Sequence, residues 1–198
     1  MASLSNPARH ILLTGQPGVG KTTLVHKACE SLSKSGKKLQ GFYTEEVRSG
    51  KERIGFDVVT LDGTRGPLAR VGDEDISSGG RKYTVGKYTV KLHSFEQTAL
   101  PTLINKASGV PCIFVIDEIG KMEMFSQSFI KAVKNVLDSQ KTTVLATIPV
   151  PKGRPIPFVE EVRARKDAVV FTVTKENRNG VLEDILSAVN ESIMKYET

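Results

Sequence analysis

Short apolar runs alternate with amphipathic stretches along most of this chain. His10 to Thr14 is an apolar run that stops at a glycine-rich turn, which fits a strand buried on both faces. From Lys21 to Lys34 the apolar residues Leu24, Val25, Ala28 and Leu32 recur near helical spacing, and Gly36 ends the helix. Leu39 to Thr44 predicts a second strand. The same rhythm predicts a helix over Phe95 to Lys106 with Ser94 as its N-cap, and a strand over Cys112 to Ile116. An amphipathic helix over Ser126 to Leu137 would turn Phe129, Val133, Val136 and Leu137 inward. A strand over Thr142 to Thr147, a short helix over Phe158 to Arg165, a strand over Val169 to Val173 and a helix over Val181 to Met194 complete the series. Pro149, Pro151, Pro155 and Pro157 make the loop after Thr147 stiff and extended.

Val47 to Val90 breaks this rhythm. Ile54, Phe56, Val58 and Thr60 alternate along the chain, and Asp62-Gly63 marks a tight turn. Tyr83, Val85, Tyr88 and Val90 suggest a further hairpin. We expect a β-rich insertion over 47–90, whose Gly- and Ser-rich middle, Gly72 to Lys82, reads as a mobile loop. Outside it, alternating strands and helices predict an α/β fold: a mainly parallel sheet with helices on both faces.

Composition narrows the class. The 198 residues are 39% hydrophobic and 25% charged, ordinary for one globular domain spanning the chain. The net charge is +6 and the pI about 9.3. The basic residues do not form a long run, and their densest stretches, Lys34 to Lys38 and Arg163 to Lys166, fall where helices should end. Nucleic acid is therefore not an expected partner. Cys29 and Cys112 sit in no Cys/His cluster, so a structural zinc site is not expected. The polar start MASLSNPARH lacks a signal-peptide pattern, and no apolar run has the length of a membrane span. A cytoplasmic protein without membrane contact is the expectation.

Two segments carry chemistry. Gly15-Gln16-Pro17-Gly18-Val19-Gly20-Lys21-Thr22 fits GxxxxGK[ST] between a predicted strand and a predicted helix. The glycines let successive main-chain N–H groups turn inward around a phosphate. The helix that starts near Lys21 points its positive end at the same anion. Lys21 would reach the terminal phosphates, and the Thr22 hydroxyl is a hard oxygen ligand for Mg²⁺. The second segment, Ile113-Phe114-Val115-Ile116-Asp117-Glu118, places two acids at the C-terminal end of a buried strand, the edge that faces ligands in open α/β sheets. Asp117 would hold Mg²⁺, and Glu118 would accept a proton from an attacking water.

Weaker candidates surround these. Thr147 could orient the attacking water. Glu45 and Glu46 end the second strand and could serve as alternative bases. Asn177 and Arg178 follow the last strand, where a guanidinium could stack on a nucleotide base. Arg65, Arg70, Arg163 and Arg165 are candidate charge stabilisers that sequence does not rank. His10, His26 and His93 are scattered and read as structural or exposed.

The phosphate loop together with GFYTEEV, RIGFDVVTLDG, VIDEIGKME, TIPVPKG and VTKENR resembles the cancer-related nucleoside-triphosphatase family over about Arg9 to Val189, with the later blocks more specific than the phosphate loop. The resemblance implies a RecA-like P-loop NTPase fold. It also implies slow hydrolysis of several nucleoside triphosphates (ATP, GTP, CTP, UTP and TTP, with diphosphates served more weakly) by a monomer. It places nucleotide-binding segments on Gly15 to Thr22 and on Ile113 to Gly120, which adds Ile119 and Gly120. Two rivals share the frame: a small-molecule kinase, and a nucleotide-controlled switch that binds RNA or protein.

Overall fold

The computed structural model describes residues 8–72, 81–104 and 111–194. Strands β1 (His10–Thr14), β2 (Leu39–Ser49), β3 (Glu52–Thr60), β4 (Arg65–Val71), β5 (Thr84–Val85), β6 (Tyr88–Val90), β7 (Cys112–Ile116), β8 (Thr142–Thr147) and β9 (Ala168–Thr172) form one sheet. Its order is β5-β6-β4-β3-β2-β7-β8-β1-β9. The helices are α1 (Lys21–Lys34), α2 (Leu92–Ala99), α3 (Gln127–Asp138), α4 (Pro157–Arg163) and α5 (Val181–Met194). Two 3-10 turns, Leu100–Leu103 and Glu123–Phe125, join them.

Every residue of β1 and β7 is buried, because helices cover both faces of the parallel half. Alternation along each strand divides the core. Ile11, Leu13, Ile113 and Val115 face α1 and α5, packing with Val25, Ala28 and Ile185. Leu12, Phe114 and Ile116 face the other way, toward Phe42, Phe95 and Phe129. The three phenylalanine rings meet at tilted or edge-on angles, with centroids 5.1 to 6.1 Å apart, a favoured aromatic arrangement.

Three sequence expectations are corrected. First, the β-rich insertion expected over 47–90 is present and belongs to the main sheet, which is therefore not mainly parallel. β2 runs past Thr44 to Ser49 and pairs antiparallel with β3 through a register shift at Val47/Arg48, so β3, β4, β6 and β5 extend the main sheet as an antiparallel wing. Half the sheet is therefore antiparallel. Second, the helix expected over Phe95 to Lys106 starts earlier, at Leu92, and tightens into a 3-10 turn at Leu100. Pro101 has no N–H for the α-helical bond pattern, which accounts for that break. Third, Ser94 lies inside α2 and caps nothing. Its carbonyl accepts a hydrogen bond from Thr98 Oγ1. Residues 105 and 106, and most of the Gly72 to Lys82 loop, lie outside the described residues. Ser126 does cap α3, its Oγ accepting from the Phe129 N–H at 2.9 Å.

Candidate functional site

β1 ends at Thr14, and the chain turns through Gly15 to Gly20 into α1. Gly18 and Gly20 have φ of 75° and 111°, the left-handed region open to glycine at little cost. Gly15 is required for a different reason. A Cβ there would lie 2.5 Å from the Val173 carbonyl oxygen, where the phosphate loop passes against the chain leaving β9. The N-cap of α1 is Gly20, and no side chain caps the helix. The first amides of α1 are thus left to an external acceptor, in contrast to the capped start of α3. Lys21 folds back over the loop, and its Nζ donates to the Gly15 carbonyl at 2.9 Å.

Asp117 follows β7 directly and is 1% exposed. Its Oδ1 accepts a 2.5 Å hydrogen bond from Thr147 Oγ1, while its Oδ2 is buried with no hydrogen-bond partner. Burial pushes its carboxyl upward, opposed by the Thr147 and Thr22 hydroxyls, the Thr44 main chain and the Lys21 ammonium. Those opposing influences place Thr22, Lys21 and Asp117 at one sheet edge. The Asp117–Glu118 peptide is cis. Glu118 is also raised by burial and by Asp117, and Lys21 pulls it back. A buried, orphaned carboxylate oxygen beside a threonine hydroxyl can take a divalent cation. A half-buried glutamate with a raised pKa can take a proton from water.

The remaining candidates separate. Thr147 is fully buried and spends its hydroxyl on Asp117, so it positions the acid and does not face a water. Glu45 pairs with Arg65, and Glu46 with Arg48 and Arg53, which removes both acids from the base role. Arg65 and Arg70 close on Asp57 in the wing. Arg163 bonds the Pro149 carbonyl and Glu160, and Arg165 pairs with Asp138 and Asp167. These four arginines serve the fold. Asn177 is committed to its own turn: Nδ2 donates to the Thr172 carbonyl and Oδ1 accepts from the Thr174 N–H, both at 2.8 Å. Arg178 is held next to the phosphate loop, its Cδ 4.0 Å from where a Gly20 Cβ would stand. Ile113 to Ile116 and Ile119 are core residues that carry the two acids to the edge. His10 is structural: the Val144 N–H donates to its Nδ1, and its Nε2 lies 3.0 Å from the Leu137 carbonyl.

The sequence reading missed a hollow in front of Lys21 and Glu118. It encloses about 680 Å³. Phe56, Leu68 and Val85 of the wing line it, as do Lys121, Lys152 and Arg154. Glu123, 4% exposed, also borders it and accepts a 3.1 Å hydrogen bond from the Gly120 N–H. Burial, reinforced by Glu118, raises its pKa to about 8. The blocks VIDEIGKME and TIPVPKG contain Glu118, Lys121, Glu123 and Lys152. Only the folded chain shows which of their residues face the hollow.

Known proteins share this chain's sequence and fold. A family model described as NTPase matches residues 10–186. The human cancer-related nucleoside-triphosphatase is 61% identical over 188 residues, covering 93% of this chain and 98% of that protein. Its solution structure superposes with a TM-score of 0.81, covering 93% of this chain and 99% of that one. The crystal structure of THEP1 from Aquifex aeolicus is 38% identical, with a TM-score of 0.75 over 91% of this chain and 98% of that one.

Proposed function

The chain belongs to the NTPase family and is a nucleoside-triphosphate hydrolase, and from that premise we propose that it cleaves the γ-phosphate of several nucleoside triphosphates by Mg²⁺-dependent attack of water. The observation that carries the metal requirement is the buried, unpartnered Oδ2 of Asp117, beside the Thr22 hydroxyl. Among the described residues there is no group of three or more His, Cys, Asp or Glu able to enclose a metal. One threonine and one aspartate suit an ion whose other positions belong to phosphate and water. Bound there, Mg²⁺ would supply charge neutralisation on the phosphates.

The chain's own residues do the rest by position and charge. The uncapped amides of α1 and of the phosphate loop hold the β-phosphate. Lys21 leaves its carbonyl partners to neutralise charge that develops as the terminal phosphoryl group departs. Glu118 orients the water and takes its proton, since burial has raised its affinity for one. Base selectivity is expected to be loose, because Arg178 is the only nucleotide-side group among the candidates that keeps its side chain free of the turn.

The test is phosphate release from ATP, GTP, CTP and UTP, with Mg²⁺ and with chelator. Release with no acceptor present separates hydrolysis from phosphoryl transfer to a small molecule. Glu118→Gln should lower kcat by ~10² to 10⁴ while nucleotide is still retained, and Lys21→Ala should weaken nucleotide retention itself. Wild-type turnover in Glu118→Gln, or full activity in chelator, would overturn this account.

A further inference from the structure

Delivering one water molecule to a phosphate does not need an apolar chamber, yet the hollow in front of Glu118 is one. At about 680 Å³ it has the size of pockets that hold small organic ligands. Its polar floor is Lys21, Thr44 and Glu118, and two further acids line it, Glu123, which accepts from the Gly120 N–H, and Glu160, which pairs with Arg163. Phe56, Leu68 and Val85 come from the wing, and Met122, Ile156 and Val159 from the second half of the chain. Leu68 and Val159 are buried and the other four half-buried, so this lining belongs to the folded structure.

Charge specifies the occupant further. Lys121, Lys152 and Arg154 are exposed, line the hollow, and pair with no carboxylate among the described residues. Arg48, Arg53, Arg65, Arg70 and Arg165 are all paired. Unpaired cations around an apolar cavity complement an apolar body that carries an anionic group. The hollow also lies beyond the nucleotide's own path. The phosphate loop contributes Gly15, Pro17 and Lys21 to it, whereas Arg178 stands by Gly20 and takes no part in the lining. A triphosphate gripped by the loop would therefore end at the hollow's floor, with its nucleoside toward Arg178.

We propose that this hollow is a second binding site, for an apolar organic anion held together with the nucleotide, and that its occupant displaces the water in front of Glu118 and slows hydrolysis. The position of the terminal phosphate rests on the hydrolytic reading above. The site itself does not.

Anilinonaphthalenesulfonate is the probe, because it has an apolar body, one sulfonate and no hydroxyl that could accept phosphate. One molecule should bind per chain with a rise in fluorescence, both without nucleotide and at saturation with Mg²⁺ and a non-hydrolysable triphosphate. At saturation it should lower kcat for ATP at least fivefold and leave KM nearly unchanged. Val85→Asp, or Lys152→Ala with Arg154→Ala on the exposed loop, should weaken the probe at least tenfold. Ile104→Asp with Met194→Asp removes the exposed large apolar side chains of the described residues and should leave binding intact. Several outcomes would overturn the proposal: no binding, displacement by the triphosphate analogue, loss of binding in the Ile104 and Met194 variant, or binding without effect on kcat. Binding is read without nucleotide, so a chain that takes the probe and hydrolyses nothing would count against the hydrolytic reading alone.

Discussion

In the proposed reading, Asp117 is the carboxylate that receives the cation. Its Oδ1 is fixed by Thr147 at 2.5 Å and its Oδ2 is buried without a partner, as the Mg²⁺ role proposed above requires. Asp117→Asn should abolish Mg²⁺-dependent release by at least ~10². The sharper experiment is Thr147→Val, which keeps the shape and removes the hydroxyl. It should weaken Mg²⁺ affinity by ~10- to 100-fold, as the loss of groups that orient a ligand commonly does. Raising Mg²⁺ should restore most of the rate, and a rate that stays low at saturating Mg²⁺ would place Thr147 in the reaction itself. Arg178 makes a different prediction. Its side chain lies near Gly20 and does not line the hollow that Glu118 borders, so Arg178→Ala should raise KM severalfold for every triphosphate and leave kcat near wild type in steady-state assays.

At the scale of elements, the ends of β1, β7 and β8 and the start of α1 were legible because each obeys a local rule. β1, α1, β7, β8 and α5 have the ends that periodicity predicts. Buried parallel strands read as unbroken apolar runs, and the phosphate loop is fixed by its glycines. The wing was legible as strands but not as part of the main sheet. β2 and β3 pair as a local hairpin through Gly50 and Lys51, but the pairing of β2 with β7 along Leu39 to Phe42, which joins the wing to the main sheet, is a long-range choice that alternation does not encode. Thr147 was misread because sequence places it at a ligand-facing edge without showing that Asp117 already occupies its hydroxyl. Lys121, Lys152 and Arg154 were passed over because they lie in loops, where no period marks a shared cavity. Ser126 gives a test at this scale. It accepts from the Phe129 N–H and donates to Glu96 at 2.6 Å, tying α3 to α2. Ser126→Ala should cost about 1 kcal/mol for the cap plus the burden on Glu96, measured by urea unfolding. No change in midpoint would show that this tie is dispensable.

For the whole molecule, two buried titratable groups set opposing dependences of stability on pH. His10 is fully buried, and burial lowers its pKa from 6.5 to about 4, only partly opposed by Asp167. Its Nδ1 accepts the Val144 N–H, so a second ring proton would break that bond. Below pH 6.5 the unfolded chain takes up a proton there that the folded chain refuses, and stability falls as pH drops from 6.5 toward 4. Glu123 works the other way. Burial raises it from 4.5 to about 8, so the folded chain keeps a proton that the unfolded chain releases, and stability falls as pH climbs from 4.5 toward 8. Between 4.5 and 6.5 the two slopes nearly cancel, and above 6.5 Glu123 alone remains of this pair. Glu123→Gln keeps an acceptor for the Gly120 N–H and removes the titration. Its gain in stability over wild type should be small near pH 4.5 and grow to the order of a few kcal/mol by pH 8, while the acid loss owed to His10 persists. Urea unfolding of both chains across this range, with chelator present so that no divalent ion shifts the neighbouring acids, reads the difference directly. A gain independent of pH would mean that Glu123 is ionised in the folded chain and that the acids around the site share their proton differently.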